Sequence, residues 1–424
     1  MRRLRGLKAL VHDAVDATTD LVGEGHESAA RAVRRVTDEV SSIEEPARKV
    51  DDARRIGTGA VLSAIKRVNR MVETVTDLGL DAAGLDAKAE SSDTVVPMRS
   101  DTTQSPEWVG DAALGLINAA VGHHLEARDN GLDLSMVLRV GDHYLQPDPA
   151  SLQSALPNPS PRVALFVHGL GTTEWSWCLE AEAYHGDPET SFGTLLDRDL
   201  GITPVYLRYN TGRRISENGR RLASLIEAFV EAYPIPVEEL VLIGHSMGGL
   251  VVRSAGHYGV ESGAEWTTKV KHVFCLGSPH QGAPLAKAGR LLSDVLGAID
   301  LPATQVTSRI IAGRSHGIQD LDAGAIVDQD WLTDHRDLAA ASPTIPGAQH
   351  YFVSATVTED PNHPLGRLVG DLLVRGGSAT HGIEESHFAI ATTYGGVLHH
   401  QLQNHPAIYA QIRAALEADL QPRS

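Results

Sequence analysis

A Gly-x-Ser-x-Gly pattern stands at Gly244-His245-Ser246-Met247-Gly248, with Gly249 and Leu250 directly after it. A serine so spaced is a candidate nucleophile, because the pattern fits a sharp turn that lifts the hydroxyl out at the junction of a strand and a helix. Before it, Leu240-Val241-Leu242-Ile243 is a continuous apolar run of the kind a strand buried on both faces requires. After it, Met247, Leu250, Val251 and Ser254 recur at helical spacing. The flanking glycines leave room for strained backbone and for close approach of strand and helix.

An unaided serine hydroxyl is a poor nucleophile, so Ser246 needs a histidine to take its proton and a carboxylate to hold that histidine in the right tautomer. Both are expected later in the chain, on loops that follow later strands. Asp360 and Asp371 are the candidate acids. Asp360 sits in Glu359-Asp360-Pro361, which suits an ordinary turn; Asp371 lies among apolar residues in Val369-Gly370-Asp371-Leu372-Leu373-Val374, where a buried carboxylate demands a partner, and it is preferred. For the base, His387 reads as part of a last strand over Ser386-His387-Phe388-Ala389-Ile390, whereas His399 and His400 follow a Thr393-Tyr394-Gly395-Gly396 loop and precede a helix. Adjacent histidines cannot both face one serine. The developing oxyanion needs donors, and the backbone N–H groups of Leu170, in Phe166-Val167-His168-Gly169-Leu170-Gly171, and of Met247 are the expected ones. Trp175 and Trp177 in the same loop could line an apolar acyl pocket or act as packing anchors. No histidine pair has an ordered ligand spacing joined to cysteines or carboxylates, so neither a metal nor another cofactor is expected.

These residues need a frame. Apolar strands at Val163–Val167, Pro204–Leu207, Leu240–Ile243, Val273–Leu276 and Tyr351–Val357 alternate with amphipathic helices, one marked by Leu222, Leu225, Ile226 and Phe229. Such alternation implies a mostly parallel sheet with helices on both faces. A hairpin with Gly141-Asp142 at its turn leads into it, preceded by a helix that Ser105-Pro106-Glu107 would start and whose apolar face is Leu114, Ile117, Val121 and Leu125. Residues 1–88 read as an amphipathic helical extension, 89–104 as a polar linker and 105–424 as the catalytic domain, with an insertion at about 285–349 expected to form a cap.

The 424-residue chain has 42% apolar residues, enough for a large core, and a formal charge of −17 that argues against nucleic acid as a partner. Two cysteines, Cys178 and Cys275, are too few for a disulfide framework and fit a reducing cytoplasm. The basic start Met1-Arg2-Arg3-Leu4-Arg5 is followed by Lys8, His12, Asp13 and Asp16, so neither a signal peptide nor a membrane span is expected. Seams such as Leu4, Leu7, Val11 and Val61, Ile65, Val68 suggest that residues 1–80 pack on protein, self-associate, or lie peripherally on a lipid surface.

Taken together, from about Asp111 to the C-terminus the sequence resembles the α/β-hydrolase superfamily, and within it bacterial serine lipases and esterases related to the inositol-deacylase-like lipases. His168-Gly169-Leu170 looks like the oxyanion turn of that branch and Gly244–Gly249 like its nucleophile elbow. Leu276-Gly277-Ser278-Pro279-His280-Gln281-Gly282-Ala283-Pro284 is similar to its Gly-(Ser/Thr)-Pro-His-x-Gly segment. Gly370-Asp371-Leu372-Leu373-Val374 is similar to its Gly-Asp-Gly-x-Val acid loop, with Leu372 in place of a glycine. The branch tends to have Leu-x-x-His-Pro after its histidine; Leu402, His405 and Pro406 match, and counting back selects His399, followed here by His400 where an apolar residue is usual. Arg208-Tyr209-Asn210-Thr211-Gly212 also resembles a loop of this group, read as structural. The resemblance implies an α/β-hydrolase fold and hydrolysis of an ester or lipid by Ser246, His399 and Asp371. The competing expectation is an assembly protein whose helices associate and whose hydrolase domain is vestigial.

Overall fold

The computed structural model describes residues 95–102, 105–280, 282, 315–331, 344–356, 358–360 and 389–418. The helical extension, and with it any role in lipid contact or self-association, lies outside the described residues. So do Asp371, His387 and most of the expected cap.

Eight strands form one sheet, β1 (Val137–Val140), β2 (His143–Leu145), β3 (Arg162–Val167), β4 (Thr203–Arg208), β5 (Glu239–His245), β6 (Val270–Leu276), β7 (Gln349–Thr356) and β8 (Ala389–Gly395), in the order β2-β1-β4-β3-β5-β6-β7-β8. The β1–β2 hairpin turns at Gly141 and Asp142, and β1 runs antiparallel to β4; every later pairing is parallel. This is the α/β-hydrolase architecture. The chain moves outward from β3 to β4 and then returns across β3 to β5, so the direction of winding reverses beside β3. Ligands in open parallel sheets bind at the carboxyl ends of strands where the winding reverses. The loops that leave β3 and β5 there carry His168–Gly171 and Ser246.

The strands are apolar throughout because helices cover both faces, yet alternate side chains still point opposite ways. Val163, Leu165, Val167, Leu240 and Leu242 face one core with helices α1 (Pro106–Ala127), α5 (Ile215–Ala232) and α6 (Met247–Ser262). Ala164, Phe166, Val241, Ile243, Phe274 and Leu276 face the other, against α4 (Phe192–Leu200) and the C-terminal α8 (Pro406–Ala418). Fully burying one such Leu or Val contributes roughly 1.5–3 kcal/mol. Helix α1 starts as expected: the Ser105 hydroxyl accepts the Trp108 N–H at 3.2 Å, with Pro106 at the first position.

One part of the chain differs from the sequence reading, and two others make contacts that it did not foresee. The last strand is described over Ala389–Gly395 and so includes Thr393, Tyr394 and Gly395, where the sequence reads as a loop. As an edge strand it is covered only partly and needs no apolar run; Tyr394 and Gly395 instead pair with Ala355 and Thr356 of β7. Of the linker, 95–102 is docked: Val96 is buried and its carbonyl accepts from Arg139 Nη1 at 2.7 Å. Of residues 285–349, where a cap is expected, 315–331 are fastened to the helices of the first core. Here α7 (His316–Ala323) supplies Asp320, whose carboxylate accepts the Ile215 N–H at 2.7 Å and Arg214 Nη1 at 2.7 Å, capping α5 from outside its own chain segment. Ile318, Leu321, Ile326 and Val327 are buried in that core.

Candidate active site

Ser246 sits between the last residue of β5 and the first of α6 with φ 54° and ψ −124°. A side chain in that region of backbone space costs about 1–3 kcal/mol and persists only when its surroundings hold it. The Ser246 N–H donates to the Leu276 carbonyl at 2.8 Å, and the Gly249 N–H donates to the Ser246 carbonyl at 3.1 Å. Close approach then leaves no room for side chains: a Cβ at Gly244 would stand 2.5 Å from the Gly249 backbone, and one at Gly248 would be 2.2 Å from the Val167 carbonyl oxygen. The Ser246 hydroxyl is buried and has no hydrogen-bond partner among the described residues. It lies at the N-terminus of α6, where the partial positive charge of the helix favours an anion.

The turn after β3 lies against the serine, since a Cβ at Gly169 would be 3.1 Å from Ser246 Cβ. The Gly169 carbonyl accepts from Thr172 Oγ1 at 3.0 Å and from His168 Nδ1 at 3.0 Å. Burial pushes the His168 imidazole down to about 4, so it is neutral at pH 7 and its Nδ1–H is the donor. In a trans peptide the N–H opposes the C=O. Fixing the Gly169 carbonyl therefore also fixes the direction of the Leu170 N–H. Leu170 and Met247 are both completely buried.

His399 and His400 open a short 3-10 turn, His399–Gln403. The His399 ring lies 4.8 Å, centroid to centroid, from the ring of His245, the residue before the serine. Its Cε1 is 2.9 Å from the Cβ position of Gly277, which has φ 64°; glycine there makes room for the imidazole. The His399 carbonyl accepts from His245 Nε2 at 3.1 Å, and burial holds His245 neutral. His400 is turned elsewhere, with Nε2 3.5 Å from Glu180 Oε1. The segment entering this turn is tied to the one leaving β7, through Gly396 N–H to the Thr358 carbonyl at 3.0 Å and Val397 N–H to the Thr356 carbonyl at 3.2 Å. The loop after β7, where an acid is expected, thus starts beside the histidine. Asp360 in that loop is exposed, and Asp371 lies outside the described residues.

Both tryptophans are buried. Trp175 packs on Trp108 with centroids 4.4 Å apart, and Trp177 packs edge-on to Phe166 at 5.1 Å and to His245 at 6.4 Å. Trp177 therefore lies against the ring of the residue that precedes Ser246.

Sequence reasoning missed a buried ionic cluster beside the turn after β3. Arg208, at the end of β4, pairs with Asp111 of α1 and with Glu174, which also pairs with Arg139 of β1 at 3.2 Å and accepts from the Tyr144 hydroxyl of β2. Thr173 Oγ1 donates to Asp111 at 2.6 Å. Burial alone would push the Glu174 carboxyl up, but Arg208 and Arg139 outweigh it and hold it at about 2. The one sequence signal was a charge among apolar neighbours, as with Arg139 in Val137-Leu138-Arg139-Val140. Among the described residues no group of three or more His, Cys, Asp and Glu side chains could hold a metal ion, and no helix is long and apolar enough to cross a membrane.

Comparison with known proteins agrees with the sheet. Residues 161–298 match a family model described as a PGAP1-like alpha/beta domain. The match takes in His168–Gly171 and Ser246 and ends before both Asp371 and His399. A comparison with curated proteins returned no match. Among solved structures, an esterase of Pyrobaculum calidifontis is 15% identical over 61% of this chain and 76% of its own, with a TM-score of 0.37. An esterase of Pyrococcus furiosus is 13% identical over 61% and 82%, with a TM-score of 0.39. For an esterase of Rhodococcus sp. the values are 14%, 68%, 94% and 0.36. Likenesses this weak say nothing of the reaction.

Proposed function

We propose that this chain is a serine hydrolase that cleaves carboxylic esters, an esterase or lipase of the inositol-deacylase-like kind, through an acyl-enzyme. The observation that carries the reading is Ser246: a strained residue at a strand-to-helix turn with a buried hydroxyl that no described residue engages. Among the described residues, no contact requires a hydroxyl there. In the proposed reaction Ser246 Oγ attacks the ester carbonyl carbon while His399 takes its proton. The carbonyl oxygen becomes an oxyanion, to which Leu170 and Met247 donate backbone N–H groups. Collapse breaks the bond to the leaving alcohol, which leaves with the proton from His399. Water, deprotonated by His399, then attacks the acyl carbon; the bond to Ser246 Oγ breaks as His399 returns the proton to that oxygen, and the acid is released. Asp371 is proposed to orient His399, and Trp177 to wall the acyl side. The proposal includes a cytoplasmic location, in keeping with two buried thiols, Cys178 and Cys275, which burial pushes up to about 12.

The test is a panel of p-nitrophenyl esters of rising chain length, with and without an apolar interface, on the wild type and Ser246→Ala. Loss of about 10⁴-fold or more in kcat is expected for the variant. Hydrolysis retained in Ser246→Ala would overturn the assignment. A wild type inactive on the whole panel would favour the assembly reading, and liposome flotation with and without residues 1–80 tests lipid contact.

A further inference from the structure

The Arg208-Tyr209-Asn210-Thr211-Gly212 segment after β4 has no role in the reaction above, yet its side chains converge on the turn that carries Leu170. The Tyr209 hydroxyl donates to the His168 carbonyl at 2.9 Å, and its ring lies 4.5 Å from the His168 ring. Thr211 Oγ1 accepts the Gly171 N–H at 3.2 Å. Arg208 reaches Glu174 directly and Thr173 through their shared partner Asp111.

These tethers have an order. Tyr209 fixes the peptide between His168 and Gly169, Thr211 fixes the one between Leu170 and Gly171, and the peptide between Gly169 and Leu170 is bracketed by the two. That middle peptide carries the N–H assigned to the oxyanion, and it lies against Ser246. Parallel pairing of Val167 with Leu207 already secures β3 to β4, so the hydroxyls are not needed to join the strands. A donor aimed at charge that exists only in the transition state must be held in place beforehand, because a misplacement well under the length of a hydrogen bond loses most of its effect. The segment is itself rigidly seated. Asn210 Nδ2 donates to the Gly122 carbonyl of α1 at 2.9 Å, and its Oδ1 accepts the Gly212 N–H at 2.9 Å.

We propose that Tyr209 and Thr211 are positioning residues which aim the Leu170 amide at the oxyanion formed on Ser246. The proposal rests on the serine-hydrolase reading. The test compares wild type, Tyr209→Phe, Thr211→Val, Thr211→Ser and Ser246→Ala. For each it measures the rate of labelling by a fluorophosphonate, the affinity for an aryl boronic acid that forms a tetrahedral serine adduct, KM and kcat on the best ester, and the thermal midpoint.

Labelling rate and kcat are expected to fall about 10- to 100-fold in Tyr209→Phe and Thr211→Val, with boronate affinity falling in proportion and KM within about twofold. Thr211→Ser restores all of them, since it restores the acceptor. Should Tyr209→Phe fail to fold, the Val and Ser variants at position 211 still decide. Wild-type labelling rate and boronate affinity in both folded variants would overturn the positioning role alone. A lowered thermal midpoint with unchanged kcat would make the contacts merely structural. Absence of labelling in wild type, or labelling that persists in Ser246→Ala, would instead sink the serine-hydrolase reading.

Discussion

Two buried polar regions flank the carboxyl end of β3, and they treat their polar groups in opposite ways. On the β4 side Asp111, Arg139, Tyr144, Glu174 and Arg208 are buried or half-buried and paired with one another. On the β5 side the hydroxyls of Ser246 and Ser278 and Nε2 of His280 are buried without a hydrogen-bond partner among the described residues. An unpaired buried polar group costs about 1–3 kcal/mol, so folded chains leave few of them. The difference fits a scaffold on one side and the proposed chemistry on the other: the paired charges fix where the loops stand, and the unpartnered hydroxyl of Ser246, the proposed nucleophile, is left for a partner that would arrive with the substrate.

The sharpest way to break that comparison is on the unsatisfied side. His399→Ala is expected to lower kcat by about 10⁴-fold and His400→Ala by less than tenfold, because only His399 lies against the elbow while His400 faces Glu180. Asp371→Asn should resemble His399→Ala, and Asp360→Asn should resemble wild type. Equal losses at the two histidines would remove the distinction.

On the satisfied side a variant should cost stability before activity. Arg208→Met leaves Asp111 and Glu174 buried with one cation fewer, and a loss of about 3–5 kcal/mol is expected in denaturant titration. A loss within about 0.5 kcal/mol would mean that the cluster is not a scaffold.

A further effect is on acid stability. Burial holds His168 and His350 at about 4 when folded, against 6.5 when exposed. On these two groups the unfolded chain therefore binds more protons between those values, so their contribution to stability is full above pH 6.5 and is lost as pH drops toward 4. Glu174, held at about 2 against an ordinary 4.5, adds a second loss, beginning below about pH 4.5 and running toward 2. Stability flat from pH 7 to 5 would contradict the neutral imidazoles.

The central strands were legible because burial on both faces demands continuous apolar runs, and Leu240–Ile243 and Val163–Val167 supply them. The elbow was legible because its glycines are dictated by contacts shorter than any side chain allows. The extension of β8 to Gly395 was not legible because a half-covered edge makes no such demand. The ionic cluster was invisible for another reason. Arg208 and Asp111 are 97 positions apart, Arg208 and Glu174 are 34, and a lone charge in a sequence does not say which opposite charge the fold will bring to it. The adjacent histidines differ in the structure by which way each ring faces, and no local pattern encodes that.

The most direct measurement is to react the full chain with a fluorophosphonate and map the adduct by peptide mass spectrometry. A single adduct on the peptide that contains Ser246, lost in Ser246→Ala and strongly slowed in His399→Ala, is the expected result. No adduct, or one on another residue, would contradict the assignment of Ser246 as the nucleophile.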